Sequence, residues 1–334
     1  MLPMTSLIRR RPIAMWYALT MVLSAWFFVV LPWLTDMRPD DVPGVGLAAI
    51  GNVPLPVGIW LIITRHPSLF TALCYAFAGT LAALVIIAIA RGRDGLREYA
   101  SRLRPWRDGV TAAQALPYYC VLLASFLGFA VMLVVVDHLT TRTGITVSDW
   151  RAIRPAGIDL LGAPWSGMVV GGSAAFLFNL VGGLLFNGGG VLEEMGWRGF
   201  ALPNLQRHLT PLRASIIVGL FWFFWHELVP LSPMLFDWHT GTLGEALRTF
   251  GVYSGANIVS NIAGAIFFTY FFNRTGGSVI ATMMMHGLYN TVPFGVPLAN
   301  PALAYFAHVV FVAVAAGVVL RVSGPSLGLR ANVQ

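Results

Sequence analysis

The sequence predicts an all-α membrane protein: a polytopic bundle of about eight transmembrane helices, forming one integral membrane domain over residues 1–334. Two observations carry this prediction. Only 10% of the 334 residues are charged and 57% are hydrophobic, whereas soluble domains carry roughly 25% charged residues. The charges are also clustered, and long apolar stretches separate them, which is the hydropathy pattern of a multispanning chain.

Apolar stretches that predict spans occur at 15–34, 68–90, 116–136, 166–187, 214–230, 251–272, 277–294 and 302–320. The first follows Arg9, Arg10 and Arg11, as in a signal peptide, but its length and lack of a small-residue cleavage site predict an uncleaved span. Residues 42–63 are apolar too, yet Pro43, Pro54 and Pro56 interrupt them. Proline removes a helix hydrogen bond, and bare backbone is costly in lipid, so this stretch predicts an interfacial or re-entrant segment. Gly171, Gly172, Gly182 and Gly183 in the fourth stretch suit close helix packing.

Arginine placement fixes the expected orientation. All 21 basic residues are arginine, a composition that suggests a G+C-rich bacterial genome. With the N-terminus inside, fifteen arginines fall on the cytoplasmic side, including six between 91 and 107. Six (Arg38, Arg65, Arg142, Arg151, Arg154 and Arg248) fall outside. This satisfies the positive-inside rule and predicts an integral protein of a bacterial plasma membrane with both termini cytoplasmic. The net charge of +7 therefore reflects topology, and no nucleic-acid partner is expected. Cys74 and Cys120 both lie in apolar stretches, so neither a disulfide framework nor a cysteine metal cluster is expected.

Ionisable groups inside apolar helices are costly and normally face a protein interior or a wet cavity. Three clusters stand out, within a motif-bearing core of about 166–294. The first is Glu193-Glu194-Met195-Gly196-Trp197-Arg198, after the run Gly188–Gly190. Glu194 and Arg198 share a helix face and can pair, while Glu193 points about 100° away. The second places Trp222 one turn before His226, with Glu227 next; the indole can stack on the imidazole. Glu227 either reaches the outer interface or supports His226. The third puts His286 and Asn290 on one face, as paired donors suited to a developing oxyanion. Each cluster alone has a plain alternative: a juxtamembrane ion pair, a histidine bonded to a backbone carbonyl, or an interhelical hydrogen-bond clamp. Asn257 and Asn261 repeat the four-residue spacing and read as structural glue.

Together the clusters supply what a peptide hydrolase needs: a base at Glu193, His226 to position water, and oxyanion donors at His286 and Asn290. Two histidines and a carboxylate also match a zinc ligand set, although no HExxH pattern is present. The order EExxxR, then an aromatic residue four positions before histidine (Trp222-xxx-His226), then HxxxN resembles the CPBP family of intramembrane proteases, which includes the type II CAAX prenyl endopeptidases. Gly199-Phe200-Ala201-Leu202-Pro203 is similar to that family's usual continuation.

The resemblance implies an eight-helix fold with a site opening toward the cytoplasm and cleaving a membrane-associated peptide or protein. Glu193 and His226 would activate water, His286 and Asn290 would stabilise the oxyanion, and Glu194 and Arg198 would hold the architecture. Members of that family are described both as metalloproteases and as glutamate proteases. The reading taken here is metal-free, with no cofactor; were zinc bound, Glu194, His226 and His286 would be its ligands. Trp222 stands where the family usually has phenylalanine, which narrows the site and bears on substrate size. A non-enzymatic bacteriocin-immunity or scaffold protein of the same fold is the alternative. A proton-coupled transporter is a third reading, and no inverted repeat supports it.

Overall fold

A computed structural model describes residues 4–35, 53–107, 109–141, 172–228, 243–295 and 301–330. Among the described residues the regular structure is helical, as composition predicts, and a single β-bridge pairs Pro54 with Asn187. The elements are α1 (Met4–Arg10), α2 (Pro12–Thr35), α3 (Leu55–Thr64), α4 (Leu69–Ser101), α5 (Ala112–Thr141) and α6 (Gly172–Phe186). Then come α7 (Gly188–Glu194, Met195–Ala201 and Leu202–Gln206), α8 (Pro211–His226), α9 (Leu243–Arg274), α10 (Val279–Gly295) and α11 (Pro301–Ser323). The middle part of α7, Met195–Ala201, is wound as a π-helix.

Among the described residues, five helices are long and apolar enough to cross a membrane: Pro12–Thr35, Leu69–Ser101, Ala112–Thr141, Ser254–Arg274 and Tyr305–Ser326. The other three expected spans coincide with α6, α8 and α10, of 15, 16 and 17 residues. These are at or below the roughly 17 residues that a lone span needs. Residues 166–171, including Gly171, and 229–230 of those stretches lie outside the described residues, as does 36–52. The described end of the proline-interrupted stretch is α3, only 10 residues long, far short of a bilayer crossing.

Inward-facing aromatics with bonded polar edges tie the helices together. The Trp16 indole N–H on α2 donates to the Gly79 carbonyl on α4 at 2.8 Å. Tyr75 of α4 stacks on Trp225 of α8 at 4.2 Å and donates to its carbonyl at 2.7 Å. The Trp225 N–H donates in turn to Ser24 Oγ at 2.7 Å. Buried Tyr and Trp need such partners, so these contacts fix register as well as area. On the other side, Phe129 of α5 stacks on Phe311 of α11 at 4.4 Å.

Glycines let the helices that carry the motifs touch backbone to backbone. A Cβ on Gly287 of α10 would lie 1.6 Å from the Gly183 carbonyl oxygen of α6. One on Gly182 would meet Pro54 at 2.6 Å, so Gly182 and Gly183 of the fourth stretch do serve close packing. In α4 the chain turns at Gly92, whose φ of 61° and ψ of −148° are open to glycine. The apolar run ends there and the arginine-rich part of the helix begins.

The arginine-bearing turns gather at one end of the bundle. The Arg107 N–H donates to the Thr275 carbonyl at 3.1 Å, and Val279 N–H to that of Arg102 at 2.9 Å. Asn273 links α9 to the C-terminal turn through the Leu327 carbonyl at 3.0 Å. Arg9, Arg91, Arg102 and Arg207 line a common cavity of about 300 Å³. These segments therefore lie together at that end of the bundle.

Candidate active site

The site is built on three short helices held by that scaffold. Asn187 caps α7, its side-chain oxygen accepting the Gly190 N–H at 2.9 Å. The glycine run Gly188–Gly190 then brings α7 against α10: a Cβ on Gly190 would meet the Met283 carbonyl oxygen at 2.6 Å. Glu193 and Glu194 follow on this buried turn and diverge as helix geometry dictates.

Glu194 turns to an ionic cluster. Its Oε1 accepts from Arg198 Nη1 at 2.7 Å and from His286 Nδ1 at 2.9 Å. The side chains of Glu194 and Arg198 are completely buried. The Arg198 guanidinium lies over the adjoining rings of Trp222 and Phe268, 4.6 Å from each centroid. These two ring contacts offset part of the cost of removing the cation from water.

Glu193 turns the other way. Its Oε2 accepts the Trp222 indole N–H at 3.2 Å. Its Oε1 faces the space above Gly189, where a Cβ would lie 3.3 Å from that oxygen, 3.1 Å from His286 Nε2 and 2.8 Å from Asn290 Nδ2. Three sequence-distant groups thus converge on a space that exists because residue 189 is glycine. Asn290 is oriented by Asn187, whose Oδ1 accepts its amide at 3.3 Å.

His226 reaches the same wall through Trp222. The indole packs 5.2 Å from the His226 ring and edge-on 5.3 Å from His286. His226 Nδ1 is 2.9 Å from the Trp222 carbonyl. A carbonyl only accepts, so Nδ1 carries the hydrogen, and Nε2 holds the lone pair when the ring is neutral. The plain alternative for this histidine, a backbone carbonyl bond, is therefore present, and the Asn261 side chain bonds the ring as well.

Glu227 is buried and tied to α9: Ser254 Oγ donates to it at 2.5 Å and the Asn257 amide at 3.5 Å. Asn257 also accepts from Tyr305 at 2.8 Å, and Asn261 donates to its carbonyl at 2.9 Å. Asn257 thus joins helices, as its spacing predicted, whereas Asn261 bonds within α9 and reaches the His226 ring.

The zinc set Glu194, His226 and His286 does not assemble. Glu194 Oε1 is taken by Arg198 and His286, and His226 turns Nδ1 to a carbonyl. Among the described residues, no three His, Cys, Asp or Glu side chains gather to hold a metal ion.

Sequence reasoning missed Gly189, Asn187 and Phe268. An Asn preceding a glycine run and a helix start is a capping signal, so Asn187 was open to detection. Gly189 and Phe268 act across the fold and leave no local signature.

The fold and the site define an all-helical membrane protein with a buried carboxylate–histidine–asparagine centre. Residues 165–292 match the family described as "Type II CAAX prenyl endopeptidase Rce1-like". Over 101 residues the chain is 29% identical to the CAAX prenyl protease 2 of Methanococcus maripaludis. That alignment covers 30% of this chain and 35% of the archaeal protein, so the chain spans about a third of the relative it matches. Both are likenesses to CAAX endopeptidases over part of the chain.

Proposed function

We propose that this chain is an intramembrane endopeptidase of the CAAX-processing type, hydrolysing a peptide bond of a membrane-associated substrate near the cytoplasmic leaflet. The observation that carries the reading is the convergence of Glu193 Oε1, His286 Nε2 and Asn290 Nδ2 on the space at Gly189. A carbonyl placed there would meet a proton acceptor on one side and nitrogen groups on the other. Glu193 takes the proton of the attacking water, and His226 positions that water or passes the proton on. Asn290 donates to the oxyanion. His286 joins it when both ring nitrogens carry hydrogen, a form that the Glu194 carboxylate accommodates by accepting at Nδ1. The bundle end rich in arginine faces the cytoplasm in this reading.

The test compares peptide termini in membranes of the native host expressing wild type or Glu193→Gln. Termini present only with the wild type would establish proteolysis and name the substrate. Identical termini at equal protein levels, over several growth conditions, would favour an immunity or scaffold role.

Two further results are expected. Gly189→Ala should fold and accumulate normally but lose cleavage about 100-fold, since a methyl group enters the reaction space and displaces groups that must align. Cleavage rates of Gly189→Ala and of the bulkier Gly189→Ser check this. Treating the purified protein with a zinc chelator should leave its activity intact. Inactivation that zinc reverses would overturn the metal-free mechanism.

A further inference from the structure

The reading above leaves unexplained why the aromatic residue one turn before His226 should be a tryptophan. We propose that Trp222 is a positioning residue whose indole N–H holds Glu193 in its reactive orientation, a role that a phenylalanine at this place cannot perform. The inference rests on the proteolytic reading and deepens it.

The geometry is specific to the indole. The Nε1–H donates to Glu193 Oε2 at 3.2 Å. The carboxylate is thereby pinned by one oxygen, and the other is left facing His286 Nε2 and Asn290 Nδ2 across the Gly189 space. Trp222 is itself only 1% exposed, so its N–H cannot turn to bulk water instead. Its ring is also fixed from several sides: the Arg198 guanidinium covers it at 4.6 Å, and Phe268 packs at 6.0 Å. The two histidine rings lie 5.2 Å and 5.3 Å from it. One side chain therefore sets the spacing between the proposed base and both histidines. Without the N–H, the Glu193 carboxylate loses its directional tether while the rest of the wall stays in place.

Two substitutions separate the donor from the ring. Trp222→Phe removes the N–H and part of the ring. Genetically encoded 3-benzothienylalanine at the same place keeps the fused-ring outline and replaces N–H with sulfur. The full chain in nanodiscs is assayed on a quenched fluorescent peptide with a prenylated CAAX-type end. The benzothienyl protein should lose about 10- to 100-fold in kcat, the worth of one hydrogen bond to a charged group, with KM and thermal midpoint unchanged. Trp222→Phe should lose at least as much. An unchanged kcat in the benzothienyl protein would overturn the inference, as would a change in KM or stability alone.

A second measurement needs no substrate. In ¹⁵N-indole spectra, the resonance lost in Trp222→Phe should move upfield in Glu193→Gln, because a neutral acceptor replaces a charged one. A resonance that does not respond would overturn the tether. A responding resonance in a wild type that cleaves nothing would instead sink the proteolytic reading, and the catalytic part of this inference with it.

Discussion

Glu193→Gln should cut the rate of peptide cleavage about 1000-fold, within the range of a lost general base, without changing abundance or thermal midpoint. The amide is nearly isosteric with the carboxylate, and its oxygen can still accept the Trp222 N–H, so the wall around it is preserved. What disappears is the ability to take a proton beside His286 and Asn290. Single-turnover assays of the purified chain check this, because they separate the chemical step from product release. Glu193→Asp provides the graded comparison, since it keeps the acid and withdraws it by one methylene. An intermediate rate for Asp would show that position and basicity both matter. A Glu193→Gln protein cleaving near the wild-type rate would remove this residue from the mechanism.

Arg198→Met should have the largest effect on stability, about 3–5 kcal/mol. Methionine replaces much of the stem volume but leaves the Glu194 carboxylate, wholly buried, with His286 as its remaining partner. It also removes the cation from over the Trp222 and Phe268 rings. Arg198→Lys should fall between wild type and Arg198→Met, because an ammonium keeps the charge but cannot stack its plane on the rings or present the same fork. Thermal scans in detergent, read alongside chain abundance in membranes, measure both. Adding Glu194→Gln to Arg198→Met should restore part of the stability if the unpaired carboxylate is the cause. Strictly additive losses would show that the lost packing, rather than the charge, is responsible.

The all-helical character, the three clusters and the arginine-rich end were legible in the sequence because each depends on local spacing or composition. Glu194–Arg198 is an i,i+4 pair that any helix would bring together. The bond from His286 to Glu194 joins residues 92 apart, and that from Trp222 to Glu193 joins residues 29 apart. No periodicity encodes such partners. Trp222 was recognised as an aromatic wall beside His226, yet its donor role depends on a helix that spacing cannot place. The short helices α8 and α10 show why span counting is ambiguous. Trp222, Trp225, Met285 and Leu288 are buried. A helix enclosed by others need not be as long as the hydrocarbon is thick, because its ends meet protein rather than lipid.

The π-wound stretch Met195–Ala201 accommodates an extra residue that a regular α-helix of the same rise would not. Deleting any single residue there would let α7 relax into a uniform helix. The turns before and after would keep their register, because one extra residue is absorbed inside a π-wound turn rather than passed along the helix. The residues within the stretch would move instead: a deletion ahead of Arg198 would turn its guanidinium by up to about 100° away from Glu194 and from the Trp222 and Phe268 rings. The π-wound turn therefore serves to aim Arg198 at its partners, and the buried residues along it leave little room for substitution.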